Sequence, residues 1–176
     1  TLSGFAYVDV NNSGARDAGD LPLSGATITG PGGATRTTQA DGSYSYVGLS
    51  AATFSVGAST PASGYALSTA SPLSVNVPEG GNVENVNFGY RPGALSGFAY
   101  IDANLNGVKD ASESGLGNVG IVLSSGASAS TSGAGAYGFS SLQSGPYALA
   151  APIAAFGYTL ATDPTLSVML SPGQTI

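Results

Sequence analysis

The chain has 176 residues, 42% of them hydrophobic and only 8% charged, with a net charge of -6 and neither Cys nor His. Four cations, Arg16, Arg36, Arg91 and Lys109, make no basic patch, so nucleic acid is disfavoured as a partner, because phosphate neutralisation needs clustered Lys and Arg. Disulfide and thiol chemistry are excluded, His-based catalysis has no residue to work with, and no apolar run is long enough to span a membrane.

Short apolar runs separated by Gly, Pro, Asn and Asp predict an all-β chain. Leu2 to Val8 alternates, with Phe5 and Tyr7 on one face and Leu2, Ala6 and Val8 on the other. Asp9 to Asp20 then reads as a polar loop. Ala26 to Thr29 and Thr35 to Gln39 read as strands, and Asp41-Gly42 is a hairpin signal. Tyr44, Tyr46 and Val47 lead to Leu49; Phe54 with Val56, and Leu73, Val75 and Val77, mark two more strands. Val83, Val86 and Phe88 mark the last, ending at Tyr90. About seven strands in ~90 residues is the count of an immunoglobulin-like or transthyretin-like β-sandwich.

The same text then begins again. Leu2-Ser3-Gly4-Phe5-Ala6-Tyr7 recurs as Leu95-Ser96-Gly97-Phe98-Ala99-Tyr100, an offset of 93 that carries on without gaps through Ile28 and Ile121, Tyr44 and Tyr137, and Val83 and Ile176. The matches are mostly apolar, as two copies of one core require. The expected organisation is therefore a first sandwich over 1–91, a short linker over 92–94 and a second sandwich over 95–176. The second copy lacks a counterpart of Glu84 to Tyr90, its last strand. Two readings stay open: a chain cut at that point, or a strand supplied by a neighbouring subunit through strand addition. Gly133-Ala134-Gly135 replaces the Asp41-Gly42 turn, which predicts a looser hairpin in the second copy.

The loop after the first strand carries the chemistry. Counting from Asp9, oxygen side chains fall at positions 1, 3, 5, 9 and 12 (Asp9, Asn11, Ser13, Asp17, Asp20), with Gly14 at position 6 and the Ala15 carbonyl at 7. The second copy repeats this with Asp102, Asn104, Asn106, Val108, Asp110 and Glu113 around Gly107. This is the spacing of an EF-hand calcium loop, in which alternate residues turn oxygens inward onto a cation that takes six to eight of them. Six of the ten acidic residues lie in these two loops, and carboxylates so crowded repel one another unless a cation sits among them. Two Ca²⁺ sites, one per copy, are expected. Asp20 is one methylene shorter than Glu113, so the first loop is expected to bind more weakly. No helix flanks either loop, which points to a metal staple rather than a helix-opening sensor.

Together with Leu23-Ser24-Gly25-Ala26-Thr27-Ile28-Thr29, Thr37 to Leu49, Gly64-Tyr65-Ala66-Leu67-Ser68-Thr69 and Val86-Asn87-Phe88-Gly89-Tyr90, the Ser3-to-Asn11 segment resembles the Cna B-type and serine-aspartate-repeat B-type domains of bacterial surface proteins. The resemblance implies a non-enzymatic sandwich module at the cell surface or outside the cell, with calcium in the Asp-Asn loop. It further implies a part in a fibre, stalk or coat, with neighbouring copies of itself or adjacent repeats as head-to-tail partners. Some relatives close a Lys-to-Asn isopeptide bond; the only Lys here, Lys109, lies in a calcium loop, so that crosslink is excluded. An adhesin repeat binding a host protein or glycan, with Tyr65 or Tyr158 in an exposed patch, and a passive spacer are the alternatives.

Overall fold

A computed structural model describes residues 1–59 and 64–176. Among these residues every regular element longer than three residues is a β-strand, and the buried apolar side chains fall into two separate clusters, one between Leu2 and Tyr90 and one between Leu95 and Leu170. The chain is thus two β-bodies in tandem, each with a core of its own.

The first body contains β1 (Leu2–Val8), β2 (Leu21–Pro22), β3 (Thr27–Thr29), β4 (Thr35–Thr37), β5 (Ser43–Tyr46), β6 (Ala52–Ala58), β7 (Ala66–Leu67), β8 (Leu73–Val77) and β9 (Phe88–Arg91). One sheet runs β4-β3-β6-β8; the other runs β2-β1-β9-β7, with β5 also on β1. β1 serves two partners along its length. Leu2 to Phe5 pair antiparallel with β5, and Ala6 to Val8 pair parallel with β9. Every long side chain of β9 that faces inward is lost to solvent: Phe88 and Tyr90 are completely buried. Ile28, Val56, Val77 and Tyr46 meet them from the other strands.

The second body contains β10 (Gly93–Phe98), β11 (Gly120–Leu123), β12 (Ser128–Ser130), β13 (Ala136–Leu142), β14 (Gly145–Ala150), β15 (Ala154–Ala155), β16 (Tyr158–Thr159) and β17 (Thr165–Leu170). Its β12-β11-β14-β17 sheet repeats the β4-β3-β6-β8 order, and β10 pairs with β13 as β1 does with β5. The repeat is kept down to single hydrogen bonds. Ser3 N–H donates to Val83 O and Val83 N–H to Thr1 O; Ser96 N–H donates to Ile176 O and Ile176 N–H to Ala94 O.

Three expectations change. Among the described residues the first body has nine strands rather than about seven, because two-residue β2 and β7 add to the longer ones. Val83 to Asn87 is not strand: Asn85 takes a positive φ of 61°, which breaks extended pairing, so the last strand starts at Phe88. Gly93 and Ala94, read as linker, belong to the second body, since Gly93 pairs with Leu142 and Ala94 with Thr175, leaving Pro92 alone between β9 and β10. The two bodies also touch, with Ser144 N–H donating to Gly64 O at 2.8 Å.

The expected looser second hairpin is absent. Gly42 and Gly135 take φ of 79° and 81° and close the same turn, donating N–H to Gln39 O and Ser132 O. The second turn loses only the carboxylate of Asp41, which accepts from the N–H and hydroxyl of Ser43. Asp41 is therefore occupied with its own hairpin.

Candidate metal centre

Each loop leaves the first strand of its body and folds back under a positive-φ glycine. Gly14 and Gly107 both sit at φ 74°, with Asn12 and Leu105 also left-handed at 54° and 59°. That conformation is open to Gly without strain and costs a side-chain-bearing residue, which explains glycine at position 6 of both loops.

The oxygens at the predicted positions are drawn around this turn. Asp9, completely buried, accepts from Ser13 N–H at 2.9 Å on Oδ1 and from Gly14 N–H at 2.9 Å on Oδ2. Asp102 does the same with Asn106 N–H at 3.2 Å and Gly107 N–H at 2.9 Å. Asn11 and Asn104 donate Nδ2–H to Asp17 and Asp110, each at 2.8 Å. Ser13 Oγ bridges to Asp17 and to the Ala15 carbonyl, while Asn106 bonds Asp110 and accepts from Val108 N–H. At position 12 the shorter and the longer acid do one job. Asp20 accepts from Val10 and Asp17 N–H; Glu113 accepts from Ala103 and Asp110 N–H. All twelve candidate residues are thus gathered in two matching loops, although only Val108's N–H, not its carbonyl, is bonded.

These hydrogen bonds shape the electrostatics. Donation from Asn11, with Gly19 N–H and Ser13 adding to it, holds the Asp17 carboxyl below the usual carboxylate range. Burial first, and then the charges of Asp9, Asp20 and Asp17, push the Tyr7 hydroxyl up to about 12. In the second body Tyr100 is raised by burial and then by Asp102, Glu113 and Asp110.

The loops' own cations do not neutralise these carboxylates by ion pairing. Arg16 lies over the ring of Phe5, 4.1 Å from its centre, and Lys109 over Phe98 at 5.6 Å, with Lys109 Nζ donating to Glu113 O. This clamp between loop position 8 and the first strand was not foreseen, yet Arg16 with Lys109 and Phe5 with Phe98 match at the repeat offset. The buried hydroxyls of Thr38 and Thr131 are a second such pair. Thr38 Oγ1 accepts from Ala26 N–H and donates to Leu23 O; Thr131 accepts from Val119 N–H and donates to Leu116 O. Each ties the chain leaving the acidic loop to the far edge of the sheet.

The donor set is all oxygen and carries three carboxylates per loop, which suits a hard cation such as Ca²⁺. The carboxylate oxygens of Asp9, Asp20, Asp102 and Glu113 each accept one N–H and retain a second lone pair, whereas Asp17 Oδ2 and Asp110 Oδ2 each accept two hydrogen bonds. Among the described residues no three acidic side chains converge closely enough to form a metal cluster as they stand. Nor is any helix among them long and apolar enough to cross a membrane. Of the two tyrosines considered for an adhesive patch, Tyr65 packs partly buried against the first core, whereas Tyr158 stays exposed.

Residues 93–166 match the family model of the SdrD B-like domain. No curated protein matches the chain. Among solved structures, the Bacillus anthracis TIE protein is similar at 20% identity with a TM-score of 0.54, over 99% of this chain and 32% of that one, so the chain spans about a third of its length. The minor pilin GBS52 of Streptococcus agalactiae aligns at 13% identity over 99% of this chain and 92% of its own, with a TM-score of 0.39. The shaft pilin SpaA of Lactobacillus rhamnosus GG aligns at 14% identity over 99% and 94%, with a TM-score of 0.40.

Proposed function

We propose that this chain, whose residues 93–166 match the SdrD B-like domain model, is a non-enzymatic, calcium-stabilised structural module of a bacterial surface protein, fibre or stalk. The observation that carries the calcium reading is the recurrence of one loop, with the same carboxylate-to-backbone hydrogen bonds, at the same place in both bodies. The family-model match supports the surface and structural parts. In the first loop Asp9, Asn11, Ser13, Asp17 and Asp20, with the Ala15 carbonyl, would hold the ion; in the second, Asp102, Asn104, Asn106, Asp110 and Glu113, with the Val108 carbonyl. The cation supplies charge compensation and crosslinks the loop. Two ions add four positive charges to a chain of net charge -6.

Stiffness is the mechanical consequence. The loop joins the end of β1 to β2, and Thr38 anchors the chain just beyond it. A locked loop thus locks the end of the body where β9 hands over to the second body. Polymerisation by strand complementation between subunits is part of the same reading. Thermal unfolding in excess Ca²⁺ and in EDTA tests the calcium part. A ligand that binds only the folded state stabilises it by roughly 3 kcal/mol at a hundredfold excess over its dissociation constant, so a clear rise in Tm is expected. Identical curves would remove the calcium reading.

A further inference from the structure

Phe5 lies outside the core. Along β1 the side chains of Leu2, Ala6 and Val8 are buried in the first cluster, whereas Phe5 is half-buried and packs in neither cluster. Its backbone is committed to the sheet, pairing with Ser43 and donating N–H to Asn87 Oδ1 at 2.9 Å. Its ring carries the guanidinium of Arg16, 4.1 Å from the ring centre. In the second body Phe98, also outside the core, carries Lys109 at 5.6 Å, and Lys109 Nζ donates to Glu113 O at 3.1 Å as well. One repeat offset relates both members of the pair, cation and ring.

Arg16 stands at position 8 of its acidic loop, between the Ala15 carbonyl at 7 and Asp17 at 9. Its charge acts on the same neighbour as the carboxylates do. The Tyr7 hydroxyl, raised first by burial and then by Asp9, Asp20 and Asp17, is lowered by Arg16. A guanidinium placed there has carboxylate partners at hand, and it binds a carboxylate through two parallel N–H bonds. Such a pair would take up the oxygens a divalent cation needs and cancel the charge that attracts it. Instead, the Asp17 and Asp20 oxygens accept from Asn11, Ser13 and the N–H groups of Val10, Asp17 and Gly19, and Arg16 rests on the ring.

We infer that Phe5 is a latch that holds the loop's own cation off the loop's carboxylates and so keeps the first loop open to a divalent cation, as Phe98 does for Lys109. This rests on the calcium reading and adds a positioning residue outside the ligand set. An aromatic face suits the task because its quadrupole draws a guanidinium without offering it a carboxylate. An aliphatic side chain at the same place covers the strand equally well and draws no charge. The two latches differ in how much they depend on the ring. Lys109 has a second hold on the Glu113 carbonyl, so the second loop relies less on Phe98 than the first relies on Phe5.

The test titrates Ca²⁺ into the 176-residue chain by calorimetry, comparing the unaltered chain with Phe5→Leu and with the double variant Phe5→Leu/Arg16→Gln. A unit charge brought to ~4 Å from a carboxylate changes its affinity for another cation by roughly fivefold even in water. Phe5→Leu is therefore expected to weaken one of the two sites by roughly fivefold or more and to leave the other unchanged. The double variant is expected to recover the lost affinity, since no guanidinium remains to compete; a ring that merely packs against the strand would leave it as weak as the single variant. In EDTA, NMR of the Arg16 side chain is expected to show an upfield ring-current shift that disappears in Phe5→Leu. Unchanged Ca²⁺ affinity in Phe5→Leu, a double variant that stays weak, or an unshifted Arg16 would overturn the latch and leave the calcium reading standing. No Ca²⁺ uptake by the unaltered chain would overturn both.

Discussion

Asp9 and Asp102 occupy the same place in their loops and make the same two hydrogen bonds, but Asp9 is fully buried and Asp102 is partly exposed. Changing each to Asn keeps the shape, retains one acceptor and turns an NH₂ group toward an N–H that has lost its partner. A hydrogen bond to a charged acceptor contributes ~1.5–3 kcal/mol, and a buried donor left unpaired costs ~1–3 kcal/mol. For Asp9→Asn the expected loss is about 3 kcal/mol. For Asp102→Asn, where water replaces the lost partner, it is about 1 kcal/mol. In a body of ~90 residues these differences correspond to roughly 15 °C and 5 °C in Tm, large enough to separate by calorimetry. The measurement belongs in EDTA, so that metal binding does not add to the difference. Equal losses for the two variants would refute the argument that burial, rather than the hydrogen-bond pattern alone, sets the worth of this residue.

Four further outcomes are expected. Thr38→Val strands the N–H of Ala26 and the carbonyl of Leu23 in a buried site and lowers stability by about 3 kcal/mol in urea unfolding, with Thr131→Val acting alike on the second body. Gly42→Ala destabilises by at least ~1 kcal/mol, because a Cβ there meets the carbonyl of Ala6 at a left-handed φ; the same change at Gly135 meets Ala99 O. At alkaline pH, burial holds Tyr7 and Tyr90 at about 12, so the folded state keeps these protons longer than the unfolded chain does. Their stabilisation is complete below the unfolded value near pH 10 and is lost as pH rises toward 12, seen as tyrosinate absorbance appearing together with loss of the β signal in circular dichroism. At acid pH the opposite sign holds for Asp17 and Asp41, both lowered by hydrogen bonds: their contribution is present above about pH 4 and lost as pH falls through the folded values, which an acid titration of Tm follows.

The tandem organisation and the two acidic loops were legible because both are local facts of spacing: the 93-residue offset is read from the chain itself, and the alternating oxygens of Asp9 to Asp20 lie within one turn of backbone. Alternation also located β1, β5, β6 and β8 within a residue or two. It failed where a neighbour overrides it. Val83, Val86 and Phe88 read as one apolar strand, but Asn85 turns left-handed and Asn87 sends Oδ1 back to the N–H of Phe5, so the segment crosses over β1. Thr38 reads as one more exposed strand threonine, and only the return of the chain at Leu23 makes its hydroxyl a buried crosslink. The short strands β2 and β7 carry no periodicity of their own; they exist because β1 and β9 offer them edges. Arg16 reads as a surface charge until the fold sets Phe5 beneath it.

The central claim is that the two loops are cation sites, and direct binding decides it: equilibrium dialysis of the chain against Ca²⁺, with ion and protein counted in the same sample. The account predicts two ions per chain at saturation, with the first loop the weaker site, and one when either Asp9 or Asp102 is replaced by Asn. A chain that takes up no Ca²⁺ at millimolar concentration would contradict it.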